Sequence, residues 1–342
     1  MNADRSTQRD VARKAGVSQA TVSMALSDNA FVALETRERI KQIAEEIGYQ
    51  PDPYLVGLAA YRKRRSVPAF QATLAWLSNW HEARTSQWGG VSGAYFQGAS
   101  ARARVLGYKL EEHALKTEGM TPARMEQILL ARNIQGILLP PQSRPGSQLD
   151  FCFGRFSVVT FGYTLAAPQL HTVTLHHYRS VEILFRKLLN LGYQRPGLAM
   201  RHREDIRTDR IWSAAFWSEQ RLLPANRRVP LLLKETLDPE RFLTWFKRYK
   251  PDVVIGGRSD VLQWMIDAGV SVPEEAGFAT LNASEHDARL SGIWQNLQMT
   301  GAKALDLLID MIHRGERGIP EVRSNLLIDA TWVDGSTVRS QS

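Results

Sequence analysis

The run Arg9-Asp-Val-Ala-Arg-Lys-Ala-Gly-Val-Ser-Gln-Ala-Thr-Val-Ser-Met-Ala-Leu26 constrains this chain more than any other stretch of it. It reads as two short helices joined by a tight turn, a helix-turn-helix, the unit that lays its second helix in the DNA major groove. Thr7 is placed to cap the first helix, with Asp10 three residues on completing a capping-box-like pair at the positive helix end. Val11, Ala12 and Ala15 share one face at helical spacing. Gly16 supplies a turn where φ can be positive. Ser18 caps the second helix, which turns Val22, Ala25 and Leu26 back to the core. A third helix is expected over about residues 35–47, with Ile40, Ile43, Ala44 and Ile47 at i, i+3, i+4, i+7 and Gly48 ending it.

With 342 residues the chain is long enough for two or three units. Its 44% hydrophobic and 23% charged residues fit a folded globular protein, and a formal charge of +8 favours a polyanionic partner. The charge is unevenly placed. Residues 1–50 hold seven Lys/Arg and seven Asp/Glu, whereas residues 51–68 hold four against one, a net +3. Cys152 is the single cysteine, so an intramolecular disulfide is excluded, which suits a reducing cytoplasm. Its neighbours Phe151 and Phe153 point to a packed thiol. The N-terminus is polar and charged, so no secretory leader is expected. No apolar run approaches membrane-spanning length.

Pro51 and Pro53 stop the third helix and set a new direction. The segment beyond them, Tyr54 to Arg65, is helix-capable but too short to be stable alone. From about residue 69 the pattern changes to strand-like apolar runs alternating with amphipathic helices, which argues for parallel sheets flanked by helices. Strands are expected at 73–77, 109–114, 136–139, 157–161, 172–175, 197–200, 229–233, 253–255, 277–281 and 325–328. Helices are expected at about 91–106, 121–132, 178–191, 209–221, 239–248, 259–268 and 298–314.

The D-V-A-x-x-A-G-V-S-x-x-T-V-S run, the T-R-E-R-I at 36–40 and the G-Y-x-P-x-P at 48–53 resemble the lactose-repressor (LacI/GalR) family of bacterial transcription regulators. The resemblance continues more weakly to the end of the chain, through Val272-Pro-Glu-Glu275 and Gly292-Ile-Trp-Gln-Asn296. It implies an N-terminal all-α helix-turn-helix domain followed by an α/β, periplasmic-binding-protein-like sensor of two Rossmann-like lobes. The expected divisions are a head over 1–50, a hinge over 51–68 and a sensor over 69–336. Within the sensor, lobe one is expected at about 69–162 and 293–324, and lobe two at about 163–292 and 325–336.

The resemblance also assigns residues. Gln19, Ala20 and Met24 take the base-reading positions; Gln19 can pair with adenine N6/N7 and Ala20 can touch a thymine methyl. Met24 stands where many members carry an arginine, so the operator should differ from a guanine-centred site. Thr7, Ser18, Thr21, Ser23 and Thr36 match phosphate contacts, which fix register without reading sequence; for Thr7 and Thr36 the alternative is helix capping alone. Leu58 matches the hinge leucine that wedges into the minor groove, the alternative being that it packs on the next domain. The effector cleft would include Ser78, Asn79, Trp80, Tyr163, Arg210, Trp212, Arg258, Asn282, Trp294 and Gln295, at the carboxyl ends of strands. This mix of guanidinium, amide and indole groups suits a polyhydroxylated ligand such as a sugar or sugar derivative. The family Asp-Asn pair is His176-His177 here, and an arginine common in the family is Trp212, so the effector should differ from that of the best-known members.

Other chemistry finds little support. The chain has no H-E-x-x-H, C-x-x-C, G-x-S-x-G or phosphate-loop motif. The adjacent His176 and His177 point apart and would need further ligands to hold a metal. No enzyme activity, cofactor or metal is expected. The expectation is a cytoplasmic, nucleoid-associated homodimer on a near-palindromic double-stranded DNA operator, a repressor switched by a small molecule between the lobes. An activator, or a regulator answering to a protein partner, is the alternative.

Overall fold

The computed structural model describes residues 7–26, 32–49, 70–79, 91–283 and 289–340. The head consists of α1 (Gln8–Ala15), α2 (Gln19–Leu26) and α3 (Leu34–Glu46). Their inward faces meet in one small core of Val11, Ala12, Ala15, Val22, Ala25, Val32, Ile40 and Ala44. The local signals act as their chemistry requires. Thr7 donates both its backbone N–H and its Oγ1 hydroxyl to Asp10 Oδ2, at 2.9 and 2.6 Å. Gly16 takes φ 66°, the left-handed turn that a side chain would strain. Ser18 Oγ accepts the Thr21 backbone N–H at 3.1 Å and starts α2.

The body begins with β1 (Ala72–Ser78), α4 (Val91–Val105), β2 (Tyr108–Ala114), α5 (Pro122–Ala131) and β3 (Gly136–Leu139). It continues through β4 (Ser147–Gln148), β5 (Ser157–Phe161), β6 (Leu165–Ala167), β7 (His171–Leu175), α6 (His177–Asn190) and β8 (Pro196–Arg201). Next come α7 (His202–Arg207), α8 (Ile211–Arg221), β9 (Leu232–Lys234), α9 (Pro239–Tyr249), β10 (Val253–Gly256), α10 (Asp260–Asp267) and β11 (Gly277–Thr280). The last elements are β12 (Gly292–Trp294), α11 (Leu297–Arg314), β13 (Asn325–Ile328) and β14 (Thr331–Val333).

Two six-stranded sheets organise these elements, in the orders β13-β7-β5-β3-β1-β2 and β14-β12-β11-β10-β8-β9. The first is wholly parallel; in the second only β14 runs antiparallel, against β12. Parallel strands with helices on both faces must be apolar on both, and the side chains alternate accordingly. Leu74 and Trp76 of β1 enter one core with Tyr95, Phe161 and Leu305, while Ala75 and Leu77 enter the opposite one with Met125, Phe153 and Phe156. Lobe two repeats this, with Val253 and Ile255 on one side of its sheet and Val254 on the other.

The sheet order corrects the expected division of the lobes. Strand β7, expected to open lobe two, pairs with β5 in lobe one, and β13, expected as the final strand of lobe two, pairs with β7. Conversely β12 belongs to lobe two, and the strand that ends lobe two is β14. The described chain therefore crosses between lobes near His176, near Gln295–Asn296 and near Asp329–Ala330. These crossings are laced together: the His176 N–H donates to Ile328 O at 2.8 Å, and Asn296 Nδ2 donates to Asp329 O at 2.9 Å. Two elements also differ locally. The strand expected at 229–233 is confined to Leu232–Lys234, and the helix expected at 209–221 begins at Ile211, with α7 preceding it. Cys152 is exposed, not packed, because the chain alternates there and buries Phe151 and Phe153 on the other side.

Helices α4 and α11 cover one face of the first sheet and approach closely through glycine. A Cβ on Gly301 would sit 2.0 Å from Tyr95 O, and one on Gly98 would sit 1.9 Å from Gln298 O. Neither obstacle is a flexible side chain. Gly301→Ala is therefore expected to cost about 3 kcal/mol, the upper part of the usual overpacking range. Gly154→Ala, where a Cβ meets nothing within 4 Å, serves as control. Thermal unfolding checks this, and equal midpoints for the two variants would show that the helices separate freely.

Among the described residues no helix is long and apolar enough to cross a membrane. Among them, too, no group of three or more His, Cys, Asp or Glu side chains is placed to hold a metal ion.

Candidate functional site

In the head, the start of α2 is the surface free for recognition. Gln19 and Ala20 are exposed, and the amide of Gln19 has only a 3.5 Å contact with Gln8 Oε1. Met24, one turn on, is half-buried against the head core, so it offers less of its side chain than the other two. Of the hydroxyl residues, Ser18 and Ser23 are exposed and Thr21 and Thr36 half-buried; Ser18 Oγ and Thr21 Oγ1 lie 2.8 Å apart. The Thr7 hydroxyl proton is committed to Asp10. Those Thr7 bonds, first the side-chain one and then the backbone one, hold the Asp10 carboxyl below its ordinary range, with help from Arg13. Leu58 and Trp80 lie outside the described residues.

Between the lobes lies a crevice of about 330 Å³. Tyr163, Leu165 and Arg323 face it from lobe one, and Ile206, Asp209 and Arg210 from lobe two. Tyr163 and Arg210, both expected from the sequence, thus meet here. Burial raises the Tyr163 phenol above its ordinary range; the Asp209 carboxylate adds to the rise and Arg323 opposes it. Behind Tyr163 stand two buried rings, His177 with its centroid 6.0 Å from Tyr163 and Trp212 edge-on to His177 at 5.6 Å. Burial pushes the His177 imidazole down to about 4, and the neighbouring His176 adds to this. His177 is therefore neutral at pH 7. Among the described residues, His177 Nδ1 and Trp212 Nε1 are buried without a hydrogen-bond partner.

The remaining expected cleft residues are placed as follows. Ser78 is buried at the end of β1. Asn79 Nδ2 donates to Gln142 Oε1 at 3.3 Å. Arg258 is exposed and reaches Asp260 at 3.5 Å, within a cluster that also holds Arg201 and Glu204. Burial raises the Glu204 carboxyl, against the pull of Arg201 and Arg258. Asn282 is exposed after β11, Trp294 is half-buried on β12, and Gln295 is buried with its amide donating to Leu281 O. Trp212 was expected at the ligand, yet most of its indole belongs to the core of lobe two with Phe216 and Ile255.

Two polar connections between the lobes went unforeseen. Arg207 Nη1 donates to Gln142 O and Ser143 O at 3.3 and 3.2 Å, and Arg203 Nη2 donates to Ser143 O at 3.4 Å. Gln142 is itself fixed: its N–H donates to Thr164 Oγ1 at 2.6 Å and its amide to Pro140 O at 2.9 Å. One Asn79–Gln142–Arg207 chain thus joins the end of β1 to lobe two. Burial lowers the Arg207 guanidinium and raises the nearby Tyr95 phenol. No motif marks these residues; carbonyl acceptors leave no sequence signal.

Comparison with known proteins places this geometry. Residues 7–52 match the profile of the family described as "Bacterial regulatory proteins, lacI family". The HTH-type transcriptional regulator AscG of Escherichia coli (strain K12) is 27% identical over 194 residues, which is 55% of this chain and 53% of that protein. The HTH-type transcriptional repressor CytR of the same strain is 51% identical over 47 residues, 14% of each chain. The chain thus spans about half the length of AscG and much less of CytR. Among solved structures, a transcriptional regulator CelR-cellobiose complex aligns over 97% of this chain and 100% of that one, with TM-score 0.55 and 17% identity. A lac repressor dimer bound to operator and the anti-inducer ONPF aligns over 98% and 99%, with TM-score 0.53 and 15% identity. At these identities the structures establish a shared fold.

Proposed function

We propose, from the premise that this chain belongs to the lacI family of bacterial regulatory proteins, that it is a sequence-specific repressor whose operator affinity is set by a small molecule held between its lobes. The observation that carries the reading is the exposed Gln19–Ala20 pair at the start of α2, on a head joined in one chain to a two-lobed body with a crevice. In this reading Gln19 and Ala20 meet base edges, Met24 contributes an apolar contact, and the hydroxyls of Ser18, Thr21, Ser23 and Thr36 approach phosphates. Thr7 acts mainly as a cap. Leu58 wedges into the minor groove. Two copies act together on a near-palindrome, since twofold protein symmetry matches twofold operator symmetry.

The laced crossings support a switch. They form a joint of three strands about which the lobes can change angle, and the Arg207 and Arg203 bonds hold one of those angles. A ligand in the crevice that favours one angle shifts the equilibrium by its differential affinity, with a coupling of about 1–3 kcal/mol typical of such systems. The effector is a carbohydrate or a derivative of one, for which the Tyr163 phenol, the Gln169 amide and the guanidinium groups lining the crevice are suited.

The test is selection of genomic DNA fragments by the purified full-length protein. Enrichment of a palindrome supports the reading; no enrichment by a folded dimer refutes it. Gln19→Ala is expected to relax preference at one position of each half-site, at about 1–3 kcal/mol for a bidentate pair, with nonspecific affinity unchanged. An unaltered preference profile would remove Gln19 from base reading.

A further inference from the structure

We propose that the ligand of the interlobe crevice is an anion, a sugar acid or a sugar phosphate, whose oxyanion is held between Arg210 of lobe two and Arg323 of lobe one; this rests on the reading that the crevice is an effector site. Both guanidinium groups line the crevice, and among the described residues neither has an ion-pair or hydrogen-bond partner. That sets them apart from Arg102, Arg186 and Arg241, which are paired with carboxylates. Asp209 is the one carboxylate among the lining residues, so two cations stand against one anion. A planar guanidinium with several donors suits carboxylate and phosphate oxygens better than isolated hydroxyls.

The backbone adds a second, independent observation. Asp209 and Arg210 take φ 55° and 60°, two successive left-handed residues that are not glycine. Among the described residues the other positive-φ side chains, Asn133, Lys250 and Asn296, occur singly. Strain of this kind persists where the surroundings over-determine it, and it concentrates at ligand sites. Here it directs a carboxylate and a guanidinium into the same crevice. At the nearby helix end the Asp205 carboxylate is directed to the Ser213 N–H and hydroxyl, at 3.0 and 2.7 Å, and not to either guanidinium.

The placement also explains the neutral part of the site. Tyr163 lines the crevice, and Trp212 Nε1 and His177 Nδ1, unpartnered among the described residues, belong to the rings behind it. A ligand with a charged end on the arginines and a hydroxylated body over Tyr163 uses both halves. Because Arg210 and Arg323 come from different lobes, the same oxyanion would draw the lobes together. Its charge therefore serves both affinity and closure. A volume near 330 Å³ is at the small end for ligand pockets, which favours a single sugar unit over an oligosaccharide.

The test is calorimetric titration of the full-length protein with D-gluconate, D-glucose 6-phosphate and D-glucose. Binding of one anion at least tenfold tighter than glucose is expected, and which anion binds separates carboxylate from phosphate. Arg210→Gln with Arg323→Gln should weaken that binding at least tenfold while leaving thermal unfolding unchanged, and Arg→Lys at both positions should restore part of it. Glucose binding as tightly as either anion, no heat with either anion, or unchanged anion binding in the glutamine variant would each overturn the proposal. DNA selection by the same protein separates the two levels. An enriched operator together with a failed anion test leaves the regulator reading in place and removes this inference alone.

Discussion

Val22→Asp is expected to abolish sequence-specific DNA binding while leaving the two lobes folded. Val22 is fully buried in α2, within a core of eight buried residues. A carboxylate there has no cation in that core to pair with. Leaving a buried charge uncompensated costs about 3–5 kcal/mol, while a head of some fifty residues has on the order of 2–7 kcal/mol of stability in total. The substitution therefore removes most or all of it. Gln19 and Ala20 are held in position only by the fold of α2, so the base reading proposed for them would be lost with that fold. The body has its own cores around both sheets, none of which includes Val22. Specific affinity should fall by at least a hundredfold toward the nonspecific level, and calorimetry should show the body transition at its wild-type temperature. Retention of specific binding within tenfold would mean that the head tolerates the charge by rearranging. Loss of the body transition as well would mean that the two units fold as one.

The same local logic explains what could be read from the residues and what could not. The head was legible because each signal is short-range: Thr7 with Asp10, Gly16 in the turn, Ser18 at the start of α2. Strands Gly136–Leu139 and Ser157–Phe161 were legible because strands covered on both faces are continuous apolar runs. The three-residue strands β6, β12 and β14 carry no such run. Lobe membership was misread because β7 and β13 are indistinguishable from lobe-two strands by composition; only the pairing of β7 with β5, and of β13 with β7, assigns them. At the crevice, Tyr163 and Arg210 followed from the resemblance. Arg323 is one of 43 Lys and Arg residues, and nothing around it in the sequence marks its exposure to a cavity. His177 drew attention only as half of an adjacent histidine pair unsuited to hold a metal, and its burial beside Trp212 had no signal in the sequence.

Lowering the pH from 7 to 4 is expected to remove about 3 kcal/mol of stability through His177 alone. Its folded-state value is near 4, against an ordinary value of 6.5, because burial penalises the imidazolium. Between those two values the unfolded chain binds a proton that the folded chain refuses. Stability is therefore complete above about pH 6.5, declines as the pH falls, and levels off below about pH 4. Each pH unit of the gap is worth about 1.4 kcal/mol. The groups facing His177 do not offset this. Tyr163 and Trp212 are uncharged there, and the neighbouring His176 acts in the same direction as burial. Glu204 and Glu219 have carboxyls raised by burial. They act in the opposite sense, since the folded state holds their protons more tightly and loses stability as the pH rises. A comparison of wild type with His177→Phe cancels those terms, because both proteins retain them. Urea unfolding at intervals from pH 4 to pH 7.5 should give a wild-type slope that the variant lacks, whatever the variant's stability at pH 7. Parallel curves would show that His177 takes up its proton without disturbing the fold, which requires water or a rearranged Tyr163 to reach its ring. His177→Gln, which keeps a polar group but does not titrate, should follow the phenylalanine variant in slope, separating the loss of titration from a change in packing.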